Sequence, residues 1–182
     1  MDRVDLLGFA DSGMSGPVSP GSLAGAPFER VVAAVSERVA AFGPDVLITL
    51  DGSDGHRDHA RIRDAALAVA RDLEVPRMYL SCLPRSLLRR WLERMREQRP
   101  DLAHLDPDVA PIGTPDEDIT TVIDTAEQLA IREKAIAAHA SQISPFEGLP
   151  DDLRRAFLAT DYARRLVPAW IGGPRETALL PR

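Results

Sequence analysis

Apolar residues along this chain occur either in short unbroken runs or at helical spacing, and the two kinds of stretch alternate. Residues 4–9 form a short apolar run and predict a strand. Residues 11–26 are rich in Gly, Ser and Pro and predict a loop. From Phe28 onward, Val31, Val32, Val35 and Val39 fall at helical spacing, and Gly43-Pro44 stops the helix. Val46–Leu50 is apolar throughout, which predicts a parallel strand buried on both faces. A polar, glycine-bearing stretch over 51–58 leads to a second helix carrying Ile62, Ala65, Ala66, Val69 and Leu73. Residues 77–83 read as the next strand. Strand and helix in alternation predict an α/β fold, Rossmann-like and doubly wound on a mainly parallel sheet.

Further along, Leu87, Leu88, Trp91, Leu92 and Met95 line one face of residues 86–98 and predict an amphipathic helix in an insertion or lid. Residues 100–118 read as irregular and acidic, 119–123 as an edge strand and 126–140 as a helix. A short helix near 151–158 and a few strand-like residues complete the tail. With no repeat or linker, residues 1–182 read as a single domain.

Charge narrows the function. The net charge of −6 argues against nucleic acid or an anionic membrane as the main partner, since both require concentrated Lys and Arg. Lys134 is the only lysine, an arginine bias that points to a GC-rich bacterial genome. Cys82 stands alone in an apolar run, so a buried thiol acting as a small hydrophobe is expected and no disulfide can form within the chain. There is no basic start followed by an apolar stretch, and no run near the ~20 apolar residues of a membrane span. The expected localisation is cytoplasmic.

Candidate chemistry concentrates in Leu50-Asp51-Gly52-Ser53-Asp54-Gly55-His56-Arg57-Asp58-His59, between a predicted strand and a helix. In open α/β sheets, sites gather in loops at the carboxyl ends of strands. His-x-x-His at a helix start can aim one ring at a metal and leave the other to handle a proton, with Asp58 fixing a tautomer. On residue types alone, a polar loop with two exposed histidines and an N-capping aspartate accounts for the segment equally well. A metal triad of His56, His59 and Asp54 is a further reading. A kinase catalytic loop is excluded, because Arg63 stands where the required Asn would be.

Three segments in order resemble one family. Pro44-Asp45-Val46 through Gly55-His56-Arg57-Asp58-His59 is similar to the second signature of the PIG-L/LmbE family of zinc-dependent de-N-acetylases, with Arg57 in place of the usual Pro. Leu7-Gly8-Phe9-Ala10-Asp11-Ser12-Gly13-Met14 resembles its strand and Asp-Ser-Gly loop. Arg132-Glu133-Lys134-Ala135-Ile136 with His139, Ser141 and Gln142 resembles its late helix. The resemblance implies His59 as a zinc ligand and His56 as general acid or oxyanion stabiliser. It implies that Asp58 orients an imidazole, that Asp11 contacts sugar hydroxyls, and that Met14 lines the same pocket. For His139 it implies substrate contact, with packing or capping equally open.

The family's first signature, Ala-His-Pro-Asp-Asp-Glu, has no counterpart; His104 sits in a Pro/Asp-rich stretch that does not match. The resemblance therefore implies an N-terminally truncated member that lacks the first strand–helix units, with one Zn2+ expected at an incomplete site. A homo-oligomer or a partner chain would supply the missing half. The implied activity is hydrolysis of an acetyl or related acyl group from an amino sugar or its conjugate, of the mycothiol-pathway type. The alternative is a non-catalytic sugar-binding remnant. Asp54, where some sugar-thiol deacetylases of the family carry Tyr, leaves the substrate open.

Overall fold

The computed structural model describes residues 3–98, 112–141 and 144–180. His104, Gln142 and most of the irregular acidic stretch lie outside the described residues. In chain order the elements are α1 (Phe28–Phe42), β1 (Val46–Leu50), α2 (Arg57–Asp72), β2 (Arg77–Cys82), α3 (Arg85–Gln98), β3 (Thr121–Asp124), α4 (Leu129–Ala138), α5 (Asp151–Leu158) and β4 (Thr160–Val167). The fold is α/β, with a small mixed sheet in the order β1-β2-β4-β3. β1 runs parallel to β2, and β3 antiparallel to β4. The chain divides into two compact units, Met1–Cys82 with Arg164–Gly173 and Leu83–Ala163 with Pro174–Arg182. Among the described residues no helix is long and apolar enough to cross a membrane.

In the first unit, α1 begins after Pro27 and ends at Gly43, whose left-handed φ of 62° lets its amide reach the Val39 carbonyl at 2.8 Å. Val35 and Val39 of α1 meet Ala66, Val69 and Ala70 of α2 over Met78 and Leu80 of β2. The alanines permit close approach of the helices, and their spacing made α2 readable in advance. β2 is the buried strand, with Met78 and Tyr79 inaccessible and the Cys82 thiol buried.

Two expectations fail here. β1 is not buried on both faces: it is the first strand in the order, and Ile48 and Leu50 are 50% and 42% exposed. An unbroken apolar run specifies a strand, but burial of its second face depends on a covering layer that lies elsewhere in sequence. Residues 4–9 form no strand. Val4 and Leu6 are 71% and 89% exposed, and the only pairing nearby is an isolated bridge between Ala10 and Ser22. Apolar side chains favour burial, but a strand also needs a partner ladder for its amides, and none receives this run.

The second unit has its own core. Leu87 and Met95 of α3 pack with Leu149, Leu153, Phe157 and Leu158, so the helix read as an insertion or lid contributes to a core. Trp91 adds a bond from its indole N–H to the Pro145 carbonyl at 2.8 Å. The expected edge strand at 119–123 appears as β3, pairing with β4 in the register Thr121↔Ala163 to Asp124↔Thr160. The helix expected over 126–140 opens as a tight turn at Ala126–Gln128 and continues as α4.

Candidate functional site

The loop leaving β1 must reverse into α2 within six residues, and glycine makes this possible. Gly52 has a φ of +74°, and a Cβ there would lie 2.8 Å from the Ala60 amide nitrogen. Asp51 accepts from the Ser53 amide at 3.0 Å and Asp54 from the His56 amide at 3.0 Å, two side-chain turns that steer the chain into the helix.

His56 is the N-cap of α2. Its Nδ1 accepts from the Asp58 amide at 3.2 Å, which places its proton on Nε2, 3.7 Å from an Asp11 carboxylate oxygen. His59 sits one turn on, its Nδ1 2.5 Å from Asp54 Oδ2. The two imidazoles stack with centroids 4.7 Å apart at 28°. Asp54 and His59, five residues apart across the loop-to-helix turn, therefore do converge, as a hydrogen-bonded pair.

Asp58 is buried, 8% exposed, and its two oxygens accept the Ser12 amide at 2.9 Å and the Ala24 amide at 3.1 Å. Ser12 Oγ accepts from the same Ala24 amide at 2.9 Å. Burial alone would push the Asp58 carboxyl up. Hydrogen bonds from the Ser12 hydroxyl and amide and from the Ala24 amide, with the nearby His56, outweigh it and hold the group below the ordinary carboxylate value. Asp58 thus ties the 11–24 loop to α2. Arg57 adds a bond to the Gly16 carbonyl at 3.2 Å, and Arg61 one to the Ala26 carbonyl at 2.5 Å.

Held this way, the loop brings Asp11 to the histidines, and Met14 stands exposed on the same loop. His139 is the C-cap of α4 in the second unit, and it is exposed. Sequence reasoning missed Ser12 and Ala24 as partners of Asp58 and Asp54 as the partner of His59. The Asp-Ser-Gly run was the available signal for Ser12; nothing in the sequence marks Ala24, whose amide alone takes part.

The side chains fit a divalent cation. Ligand atoms of Asp11, His56 and Asp58 all lie within 4.8 Å of one another, a nitrogen and oxygen donor set of the kind zinc accepts. Beside this group, Asp54 engages His59 through Nδ1 and leaves Nε2 for an ion, the arrangement in which a carboxylate orients a metal-bound imidazole.

No family model matches the chain. Curated relatives do. The 1D-myo-inositol 2-acetamido-2-deoxy-alpha-D-glucopyranoside deacetylase of Geodermatophilus obscurus is 31% identical over 93% of this chain and 64% of its own length. The protein of the same name from Gordonia bronchialis is 30% identical over 93% of this chain and 65% of its own. That of Streptomyces griseus is 31% identical over 94% and 60%. The chain thus spans less than two thirds of the length of these relatives.

Proposed function

This chain belongs to the PIG-L/LmbE-like de-N-acetylase family, and from that premise we propose that it is a metal-dependent hydrolase. Its reaction is removal of the acetyl group from a 2-acetamido sugar joined to inositol or a similar conjugate, as the names of its relatives suggest for them. The observation that carries the reading is the convergence of Asp11, His56 and Asp58 beside the Asp54–His59 pair, at the carboxyl end of β1. The chain is proposed as a deacetylase domain of a doubly wound type that acts in the cytoplasm and assembles with a second copy or a partner chain.

His59, oriented by Asp54, is the proposed zinc ligand, with the carboxylates of Asp11 and Asp58 supplying further donors beside it. When bound, zinc lowers the pKa of a coordinated water to about 7 and polarises the amide carbonyl. His56 holds a proton at Nε2, facing Asp11, where it can be given to the leaving amine or to the carbonyl oxygen. Asp58 keeps the 11–24 loop against α2, so that Asp11 and Met14 face the sugar. His139, the C-cap of α4, is proposed as a substrate contact.

The test is release of free amine from N-acetylglucosaminyl-inositol by the zinc-supplemented protein. His56→Ala is expected to retain zinc and to turn over ~10²-fold more slowly; unchanged turnover would remove its role in proton transfer. A sugar-binding module is the second reading, favoured by the Asp11–Met14 loop that Asp58 holds against α2. Sugar binding with zinc held but no amine released would support that reading instead.

A further inference from the structure

We propose that Arg57 is an anion-recognising residue at the rim of this site, so that the preferred substrate is an N-acylated amino sugar bearing a phosphate or carboxylate. The inference rests on the deacetylase reading and narrows its substrate class.

Arg57 stands in the second signature where the resemblance leads one to expect Pro, between His56 and Asp58. A proline at this first helical position would supply a fixed φ and nothing that recognises a ligand. An arginine places a permanent cation with five donors two residues from His59. Its position is electrostatically unfavourable for the fold, because a cation in the first turn opposes the helix dipole. Among the described residues no carboxylate offsets that cost: the partner of Arg57 is the Gly16 carbonyl, which Nη1 reaches at 3.2 Å.

Neighbouring arginines of the same unit are engaged differently. Arg38 pairs with Glu37, and Arg63 pairs with Asp64 while also donating to the Asp51 carbonyl. Arg61 donates to the Ala26 carbonyl and lies over the Phe28 ring. Arg57 has no counter-ion among the described residues although Asp51, Asp54 and Asp58 all lie within six residues of it. Those carboxylates are directed to the Ser53 amide, to His59 and to the Ser12 and Ala24 amides respectively.

The amides that open α2 offer no anion site of their own: those of Asp58, His59 and Ala60 bond to His56 Nδ1 or its carbonyl. The recognition therefore falls to the guanidinium itself. Its bond to Gly16 fixes it beside the loop that carries Asp11 and Met14, and its remaining donors can grip an anionic oxygen pair as a fork. A substituent on the sugar or on its conjugated arm would meet Arg57 while the acylamino group faces His56.

The test is equilibrium binding to the full chain, freed of metal with a chelator so that no ion contributes. The probes are N-acetylglucosamine, its 6-phosphate and its 6-carboxylate analogue. The wild type is expected to bind an anionic probe ~10-fold or more tightly than the neutral sugar, the size of a charge-assisted contact. In Arg57→Gln the ratio of anionic to neutral affinity should fall to about one, and Arg57→Lys should keep part of it. The 6-phosphate and 6-carboxylate arms distinguish the two sources of charge. Equal affinity for neutral and anionic probes in the wild type, or an unchanged ratio in Arg57→Gln, would overturn the inference and leave the deacetylase reading standing. No binding of any probe would also overturn the inference, whereas the deacetylase reading stands or falls on amine release by the zinc-supplemented protein.

Discussion

Gly52 carries the geometry of the β1–α2 loop, because its left-handed backbone and the Ala60 backbone behind it leave no room for a side chain. Gly52→Ala is expected to cost about 1–3 kcal/mol, as other residues forced into sparsely populated backbone regions do. Chemical denaturation would read this as a lower midpoint, and an unshifted midpoint would show that the loop has another way round. Asp58 is the second residue on which the site depends. Asp58→Ala removes the acceptor of the Ser12 amide and leaves the Ala24 amide with Ser12 Oγ. It should destabilise the protein by ~2 kcal/mol. Hydrogen exchange at Ser12 and Ala24 should accelerate with it; protection equal to wild type would mean that the loop is held by other contacts. At this scale the sequence was partly legible. The residue types of His56, Asp58 and His59 allowed either chemistry or a capped polar loop, and it was the resemblance of the surrounding segment that singled them out. What Asp58 binds was not legible, since its partners are backbone amides 46 and 34 residues away.

Among the elements, α3 shows how a distant side chain completes a helix. Asp116 accepts from the Ser86 amide at 3.0 Å and from the Ser86 hydroxyl, and so caps the first turn of α3 across 30 residues of chain. Burial alone would raise its carboxyl; the Ser86 hydroxyl and amide and the Arg175 guanidinium outweigh this and hold it below the ordinary value. A carboxylate with a depressed folded-state pKa stabilises above its unfolded value, near 4, and loses that contribution as pH falls through the folded-state value. Asp116→Ala should therefore cost ~1 kcal/mol at neutral pH, with the gap to wild type closing well below pH ~4. Thermal melts at the two pH values check it, and a gap of equal size in both would contradict the electrostatic part. The amphipathic pattern of α3 predicted the helix correctly, because spacing is a local property. It could not say whether the apolar face served as a lid or a core, which depends on Leu149, Leu153 and Phe157. The strand expected at residues 4–9 failed for the complementary reason: its side chains suited a strand, but no ladder partner was encoded nearby.

For the molecule as a whole, the unresolved physical tension is the edge of the sheet at β1. Ile48 and Leu50 stand exposed on a strand that, among the described residues, pairs with β2 at one edge, and exposed apolar edges invite pairing with other chains. Concentration-dependent self-association is expected, and Ile48→Lys should reduce it without loss of helical signal. Sedimentation showing a monomer at all concentrations would mean that the edge is tolerated as it stands. The α/β class was legible from strand–helix alternation, whereas the mixed sense of the sheet was not, because pairing direction depends on connections rather than on composition. Family membership rests on relatives that are longer than this chain, so the activity of the chain itself turns on whether its own residues hold an ion. The most direct measurement is zinc content per chain by elemental analysis, after zinc loading and exhaustive dialysis. The account predicts about one zinc per wild-type chain and its loss in His59→Ala, as for a site built on protein ligands. A wild type without zinc, or His59→Ala holding as much as wild type, would contradict it.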